Sequence, residues 1–212
     1  CEFLNYPVVS GNVSFYNGTN KKNIFPTPVI GGVGLIKKLF KPLGHSFKKD
    51  KSKLILIGKT FGHLEQSCFL KENFNIIDGM PPEINLLNEK NNGEIVLKLI
   101  NDNLVNSAHD ISNGGILVAL SEMVIESNIG VKILKPQKLN NLLAFFFGED
   151  QGRYILEIKE QNYPKVEKIL KYGNIHYERI GITQKKFFEI EDEMKIQTKD
   201  LFKINNQWYN NY

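Results

Sequence analysis

The sequence has few cysteines, few arginines and no long apolar run, and each shortage excludes a class of protein. Its two cysteines, Cys1 and Cys68, cannot form the framework of disulfides that staples small secreted domains. No apolar stretch reaches the roughly 18 to 20 residues of a membrane span, and the opening residues lack a signal-peptide pattern. We therefore expect a cytoplasmic protein with no membrane partner.

The shortage of arginine bears on nucleic-acid binding, because the chain still carries a formal net charge of +4. That charge comes from lysine-rich stretches such as residues 48–53, and the lysines are dispersed among asparagine and isoleucine. Nucleic-acid interfaces usually combine arginine forks with aromatic platforms. The composition therefore predicts no nucleic-acid partner.

The chain is long enough for one large domain, or for one domain with a remnant of another. It has 212 residues, of which 42% are hydrophobic, and this content suits a packed core. It begins at Cys1 rather than Met, and a strand-like run over residues 8–16 follows almost at once. Since a strand needs a sheet to join, we expect a fragment whose missing upstream part supplies that sheet.

Strand-like and helix-like patterns alternate through most of the chain. Strands are predicted over residues 30–40, 53–58, 105–111, 130–134, 153–159, 175–183 and 187–196. Helices are predicted over residues 81–103, 112–124, 139–146 and 163–171. This alternation is typical of an α/β (α+β) fold, in which helices flank a mixed sheet. A loop with Pro26 and Pro28 gives the predicted domain boundary, between residues 1–28 and residues 29–212.

Three polar clusters interrupt the apolar elements, at residues 10–14, 109–115 and 148–153. Glycine lets a backbone approach a ligand, free amides at a helix start favour anions, and amide or carboxylate oxygens can hold magnesium. Each cluster also has a plainer interpretation, and both stay open at this point. The first can be a turn or bulge, Asp110 and Ser112 can cap a helix, and the acidic pair of the third can be solvated beside Arg153.

Other candidate sites are weaker. His63 and Cys68 lie close in sequence, but no second pair completes the four ligands of a structural zinc. A cysteine–histidine nucleophile pair has equally little support, since spacing gives neither orientation nor an activating third group. The aromatic run at residues 145–147 is typical of core rather than of a cofactor platform.

Longer strings of this sequence are more specific, and together they resemble the C-terminal part of the synthetase subunit of the phosphoribosylformylglycinamidine synthase family. The resemblance covers nearly the whole chain. It is carried by PVVSGNVSFYN (residues 7–17), PTPVIGGVGLI (26–36), AHDISNGGILVALSEM (108–123), FGEDQGRYIL (147–156) and the segment around Trp208.

The resemblance implies a duplicated architecture, in which domains like the two of aminoimidazole ribonucleotide synthetase occur twice in one polypeptide. Residues 1–28 would then end the second N-terminal-type domain as a remnant strand, and residues 29–212 would form the second C-terminal-type domain. It also implies an ATP-dependent ligase of purine biosynthesis, which uses Mg²⁺ and converts formylglycinamide ribonucleotide to its amidine. The implied partners are the missing N-terminal part of the subunit, a glutaminase subunit that supplies ammonia, and a small accessory subunit.

Three residues take site roles from the resemblance: Gly11 as a nucleotide contact, Asn12 as a magnesium ligand and Ser14 as a substrate contact. On an extended strand Asn12 and Ser14 would share one face. The family's catalytic histidine and most carboxylate ligands lie upstream, so we assign no catalytic residue here and expect residues 1–212 alone to be inactive.

The third polar cluster resembles a duplicate of a substrate-binding loop. Glu149, Asp150 and Gln151 would therefore line an auxiliary nucleotide site or be vestigial. Gly18, where the family often has Glu, and Asn113, where Asp is common, depart from the pattern. Two alternatives remain: a related ATP-dependent synthetase with another substrate, and a non-catalytic assembly domain that docks through a strand at residues 8–16.

Overall fold

The computed structural model describes residues 1–14, 16–24, 27–35, 42–136 and 141–210, except the side chains of Trp208 and Asn210. The chain divides into two compact units, Cys1–Pro42 and Leu43–Tyr212. The domain boundary expected after residue 28 stays a prediction.

The described residues of the first unit contain one short hairpin, of β1 (Gly18–Thr19) and β2 (Lys22–Asn23). The two turn residues between them, Asn20 and Lys21, have φ angles of 50° and 64°, as the mirror-image hairpin turn requires. The prediction of a strand over residues 8–16 is wrong, since residues 8–14 and 16 form none. Their apolar side chains are exposed, and high β-propensity does not produce a strand without a neighbour that pairs with it.

A mixed sheet of seven strands dominates the second unit. Its strands are β3 (Lys53–Ile57), β4 (Ser107–Asp110), β5 (Gly130–Ile133), β6 (Tyr154–Ile158), β7 (Tyr177–Gln184), β8 (Phe187–Ile190) and β9 (Met194–Gln197). They lie in the order β4, β6, β3, β7, β5, β8, β9. Every neighbouring pair is antiparallel except β5 and β8. The predicted mixed sheet is therefore confirmed.

Helices cover both faces of this sheet. They are α1 (Cys68–Phe74), α2 (Leu86–Asn101), α3 (Gly115–Ser127), α4 (Leu142–Phe147), α5 (Tyr163–Tyr172) and α6 (Thr198–Asn210), with a 3₁₀ turn at Glu160–Asn162. Helix α2 begins after Asn85, whose side chain accepts from the Asn88 amide, and not at the Pro-Pro pair before it. No helix in the described part of the chain is long and apolar enough to cross a membrane.

The core has two halves, because side chains on a strand alternate between the two faces of the sheet. In β3, Leu54 and Leu56 pack with residues of α3 and α4, whereas Ile55 and Ile57 pack with residues of α2 and α5. All four are fully buried. Each such side chain contributes roughly 1.5 to 3 kcal/mol through removal from water. The result is a three-layer arrangement of helices, sheet and helices.

Several elements differ from the sequence-based expectation. The strand predicted over residues 187–196 is instead the hairpin of β8 and β9, whose turn places Asp192 at φ 57°. Helices α1 and α6 were not predicted. The predicted strand over residues 30–40 lies partly outside the described residues, and residues 30–35 form no strand. Residues 139 and 140 of the helix predicted over residues 139–146 also lie outside them.

Candidate functional site

The predicted site residues Gly11, Asn12 and Ser14 all lie in the first unit and are exposed. A Cβ atom added at Gly11 would meet nothing within 4 Å, so local packing does not require glycine there. The backbone oxygen of Ser14 accepts from the Asn17 side chain at 2.8 Å. The expectation that Asn12 and Ser14 share a face depended on a strand that does not form, so their roles stay predictions.

The third polar cluster is well ordered by its own contacts, beginning with Asp150. This carboxylate is only 5% exposed. It accepts from three successive backbone amides, of Phe61 at 3.0 Å, Gly62 at 2.9 Å and His63 at 3.3 Å. The interpretation of Asp150 as a solvated loop carboxylate is therefore wrong. Asp150 fixes the loop that follows β3.

Arg153 fixes the other side of the same region from inside the protein. Its side chain is fully buried and donates to the backbone oxygens of Gly148 at 2.6 Å and Asp150 at 3.0 Å, and to the Thr60 hydroxyl at 3.1 Å. Burial lowers its pKa to about 10, although the nearby charges of Asp150 and Glu149 act in the opposite direction. The predicted pairing with a carboxylate is present, with 3.7 Å between Arg153 and Asp150.

Glu149 joins the starts of two helices. One carboxylate oxygen accepts from the backbone amide of Cys68, the first residue of α1, at 2.8 Å and from that of Gly114, just before α3, at 2.7 Å. Helix N-termini have free amides and a partial positive charge, so a carboxylate is favoured there. The N-cap residue of α3, Gly114, makes no side-chain cap hydrogen bond, so the interpretation of Asp110 and Ser112 as caps is wrong.

The environment of Cys68 disfavours a nucleophilic role. Burial first, and then the negative charge of Glu149, raise the pKa of its thiol, which keeps the thiol protonated. The ring of His63 faces the Met80 backbone oxygen at 2.8 Å. Among the described residues no group of three His, Cys, Asp or Glu side chains could hold a metal ion. The expectation that Phe145 and its neighbours form core is confirmed at Phe145, which is 2% exposed.

A large polar cavity of about 750 Å³ opens beside these loops, within the second unit. Its walls are the loop after β3, the first half of α2, residues 150–152 and residues 174–176. We call it the asparagine cavity, because five asparagines line it: Asn85, Asn88, Asn91, Asn92 and Asn174. Of the three polar clusters noted in the sequence, only the third, at residues 148–153, reaches the cavity. This acidic loop lines it through Asp150, Gln151 and Gly152.

The contribution of α2 to this cavity was not predicted from the sequence. The prediction of this helix rests on its apolar face, which packs against the sheet through Val96 and Leu99. The signal for the other face was present, because Asn85, Asn88 and Asn92 recur at intervals of three and four residues. A polar stripe at helical spacing is usually a solvated face, so the pattern alone did not indicate a site.

Comparison with known proteins places this chain within a family. Residues 50–192 match the family model described as AIR synthase related protein, C-terminal domain. The chain is 47% identical over 210 residues to phosphoribosylformylglycinamidine synthase subunit PurL of Pelagibacter ubique (strain HTCC1062). That match covers 99% of this chain and 29% of the relative, so the chain spans less than a third of its length.

Solved structures show the same fold. T. maritima PurL complexed with FGAR superposes with a TM-score of 0.62 at 16% identity, over 76% of this chain and 29% of that one. T. maritima PurL complexed with ATP gives a TM-score of 0.58 at 15% identity, over 76% and 27% of the two chains. At this identity the likeness establishes the fold alone, and the expected fold class, a mixed sheet flanked by helices of the aminoimidazole ribonucleotide synthetase type, is confirmed.

Proposed function

Since the chain belongs to the family of AIR synthase related proteins, whose C-terminal domain it carries, we propose that it is the C-terminal portion of a phosphoribosylformylglycinamidine synthase subunit. The observation that carries this proposal is the 47% identity to a PurL subunit along nearly the whole chain. The full subunit would be a cytoplasmic ligase of purine biosynthesis. Its partners would be a glutaminase subunit and a small accessory subunit.

The proposed reaction couples ATP to amidine formation. The formamide oxygen of formylglycinamide ribonucleotide attacks the γ-phosphorus of ATP, and ADP leaves. Ammonia then adds to the activated carbon, and phosphate leaves with the former formamide oxygen to give the amidine. Most of the catalytic work is positioning and the stabilisation of charge on the transferred phosphoryl group. We assign the groups that perform it to the rest of the longer subunit.

We also propose that three residues of the first unit contribute to the active site of the full subunit. Gly11 lets its backbone approach the nucleotide, because glycine has no Cβ that would stand between the two. Asn12 offers an amide oxygen, which fits a hard cation such as Mg²⁺, and Ser14 offers a hydroxyl to the substrate. Because no metal-binding group of three side chains occurs in the described ranges, we assign the other magnesium ligands to the rest of the subunit.

The proposal is tested in the full-length subunit by measuring amidine formation from ATP, Mg²⁺ and ammonia. Asn12→Ala should raise the magnesium concentration needed for half-maximal rate about tenfold, as expected for loss of one ligand or charge-assisted bond. Ser14→Ala should raise the KM for formylglycinamide ribonucleotide by a similar factor. The exposed hairpin residue Asn23 gives a matched control, and Asn23→Ala should leave both constants within about twofold.

Two outcomes would contradict the proposal. One is a full-length subunit that binds ATP but does not convert formylglycinamide ribonucleotide, which would favour a related synthetase with another substrate. The other is robust turnover by residues 1–212 alone, which would contradict the assignment of the reacting groups to the rest of the subunit. Unchanged constants in the Asn12 and Ser14 variants would remove those two roles.

A further inference from the structure

The asparagine cavity has the size and the fixed walls of a small-molecule site. Its volume of about 750 Å³ lies within the range of roughly 300 to 1,000 Å³ that is usual for ligand pockets. Its floor is held by Asp150 and by the buried Asn92, which is 7% exposed and donates to the Gly152 backbone oxygen at 2.9 Å. A ligand would therefore meet walls that need little rearrangement, and this lowers the cost of binding.

Close backbone packing adds to this rigidity. At Gly58, with φ 92°, an added Cβ would lie 2.8 Å from the Gly152 backbone oxygen and 2.9 Å from Arg153. At Gly152, with φ 66°, an added Cβ would approach the Glu89 carboxylate at 3.2 Å. The two loops and α2 thus meet at the floor in an arrangement that only glycine permits.

The polar groups of the lining suit a ligand with hydroxyls and amide-like edges. Carboxamides both donate and accept, so the exposed Asn88, Asn91 and Asn174 can each recognise a hydroxyl or a heterocycle edge. The other carboxamides of the lining have partners within the protein, since Asn85 caps α2, Asn92 donates to Gly152 and Gln151 donates to Glu149. Glu89 adds an acceptor at the floor. Burial raises the pKa of its carboxyl group, although a hydrogen bond from the Gly152 backbone lowers it, and a partly desolvated carboxylate gains from a hydroxyl donor.

The charges of the lining disfavour a phosphorylated ligand. Two carboxylates, of Glu83 and Glu89, face one lysine, Lys59, and a third carboxylate, of Asp150, is already paired with the buried Arg153. The two histidines of the lining have other contacts: His63 faces the Met80 backbone oxygen, and His176 lies 3.1 Å from Glu178. A phosphate would therefore meet an excess of negative charge.

The rim of the cavity carries an aromatic surface. The ring of Phe61 lines the cavity and is 76% exposed. An exposed aromatic face beside polar groups is the usual platform for a planar base. We propose that the asparagine cavity binds a neutral nucleoside, whose base stacks on Phe61 and whose sugar hydroxyls contact the carboxamides of α2 and Glu89. This goes beyond the proposed function, since it involves none of the residues assigned there.

The experiment compares a neutral nucleoside with its own phosphate. Adenosine and AMP are titrated into residues 1–212 at equal salt, with calorimetry and amide chemical shifts as readouts. Adenosine should bind at least about tenfold more tightly than AMP, because only the phosphate differs. Asn88→Ala should weaken adenosine binding by about tenfold, as expected for one lost hydrogen bond to the ligand. Asn101→Ala, on the same helix but outside the lining, is the matched control and should change the affinity less than twofold.

Three results would overturn the proposal. They are no adenosine binding, AMP binding as tight as adenosine or tighter, and equal effects of the Asn88 and Asn101 variants. Phe61→Leu provides a second variant at an exposed position, and unchanged adenosine affinity in it would remove the stacking contact. None of these results bears on the ligase proposal, because that proposal is tested by turnover of the full-length subunit.

Discussion

At the scale of single residues, buried carboxylates hold distant segments of this structure together. Glu157 is an example: it is fully buried within β6, and it accepts from the hydroxyls of Ser52 and Ser107, each at 2.8 Å. It also accepts from the backbone amides of Lys48 and Lys49. A buried charge is tolerated only when its hydrogen-bonding capacity is filled, and here it anchors the segment before β3.

Glu149 allows a direct test of such an anchor. Glu149→Ala removes the acceptor shared by the starts of α1 and α3, so about 2 kcal/mol of unfolding free energy should be lost in urea titration of residues 1–212. The control is Glu72→Ala, an exposed residue of α1 paired with Lys71, which should change stability by less than about 0.5 kcal/mol. Equal losses in the two variants would show that Glu149 does not join the helices.

The pair of Tyr177 and Glu167 predicts a dependence of stability on pH. The Tyr177 hydroxyl donates to Glu167 at 2.9 Å. Burial, and then this hydrogen bond, raise the pKa of Tyr177 from 10.0 to about 12. The folded state therefore holds this proton more tightly, so the stabilisation is complete below pH 10 and is lost as the pH rises toward 12.

Titration of phenolate absorbance, with Tyr177→Phe as the reference, should show this late ionisation. In Glu167→Gln the pKa of Tyr177 should fall only part of the way toward 10.0, because burial remains. The control is Glu193→Gln, because Glu193 pairs with Lys135 and not with Tyr177. This variant should leave the Tyr177 titration unchanged. A Tyr177 titration at its ordinary value in the unmodified chain would contradict the assignment.

At the scale of elements, the long periodic segments were predictable and the short connections were not. The prediction of a strand over residues 53–58 is confirmed by β3, and that of a helix over residues 163–171 by α5. Each carries a clear pattern of apolar residues. Helix α1 has only seven residues and none of them is buried, so it is too short for a helical period of apolar residues to be recognised in the sequence.

Helix α2 offers a stabilising substitution. Gly93 lies in its interior, and an added Cβ would meet only the Tyr154 hydroxyl at an ordinary 3.6 Å. Gly93→Ala should therefore raise the unfolding free energy by about 0.5 to 1 kcal/mol, because alanine has the higher helix propensity. Gly115→Ala is the contrasting variant. Its φ is 71° and its Cβ would lie 2.7 Å from the Phe146 backbone oxygen, so a clear loss in thermal or urea unfolding is expected.

At the scale of the whole molecule, stability is concentrated in the second unit. Both halves of the hydrophobic core consist of residues from Phe47 onward, and no described residue of Cys1–Pro42 belongs to them. The large apolar side chains that the structure describes in the first unit are exposed instead, among them Val9 at 92% and Val33 at 97%. A segment with so little buried apolar surface cannot offset the entropy of ordering a fold of its own.

We therefore expect Leu43–Tyr212 to fold alone. Its urea midpoint should match that of residues 1–212 to within the shift that a change of about 1 kcal/mol in unfolding free energy produces. The seven-stranded sheet should also contain the same amides protected from hydrogen exchange. The control is a deletion within the core unit, such as removal of α5, which should abolish cooperative unfolding. A large loss of stability without residues 1–42 would contradict this expectation.

The sequence by itself determined the alternation of strands and helices and the apolar faces that join them, because those depend on local spacing and burial. It also identified the family resemblance and the acidic loop around Glu149. Only the tertiary structure decided what that loop does. Glu149 meets the amides of Cys68 and Gly114, which are 81 and 35 residues away, and such partners are brought together by the sheet order rather than by local sequence. For the same reason the asparagine cavity, built from four separate segments, could not be derived from any one of them.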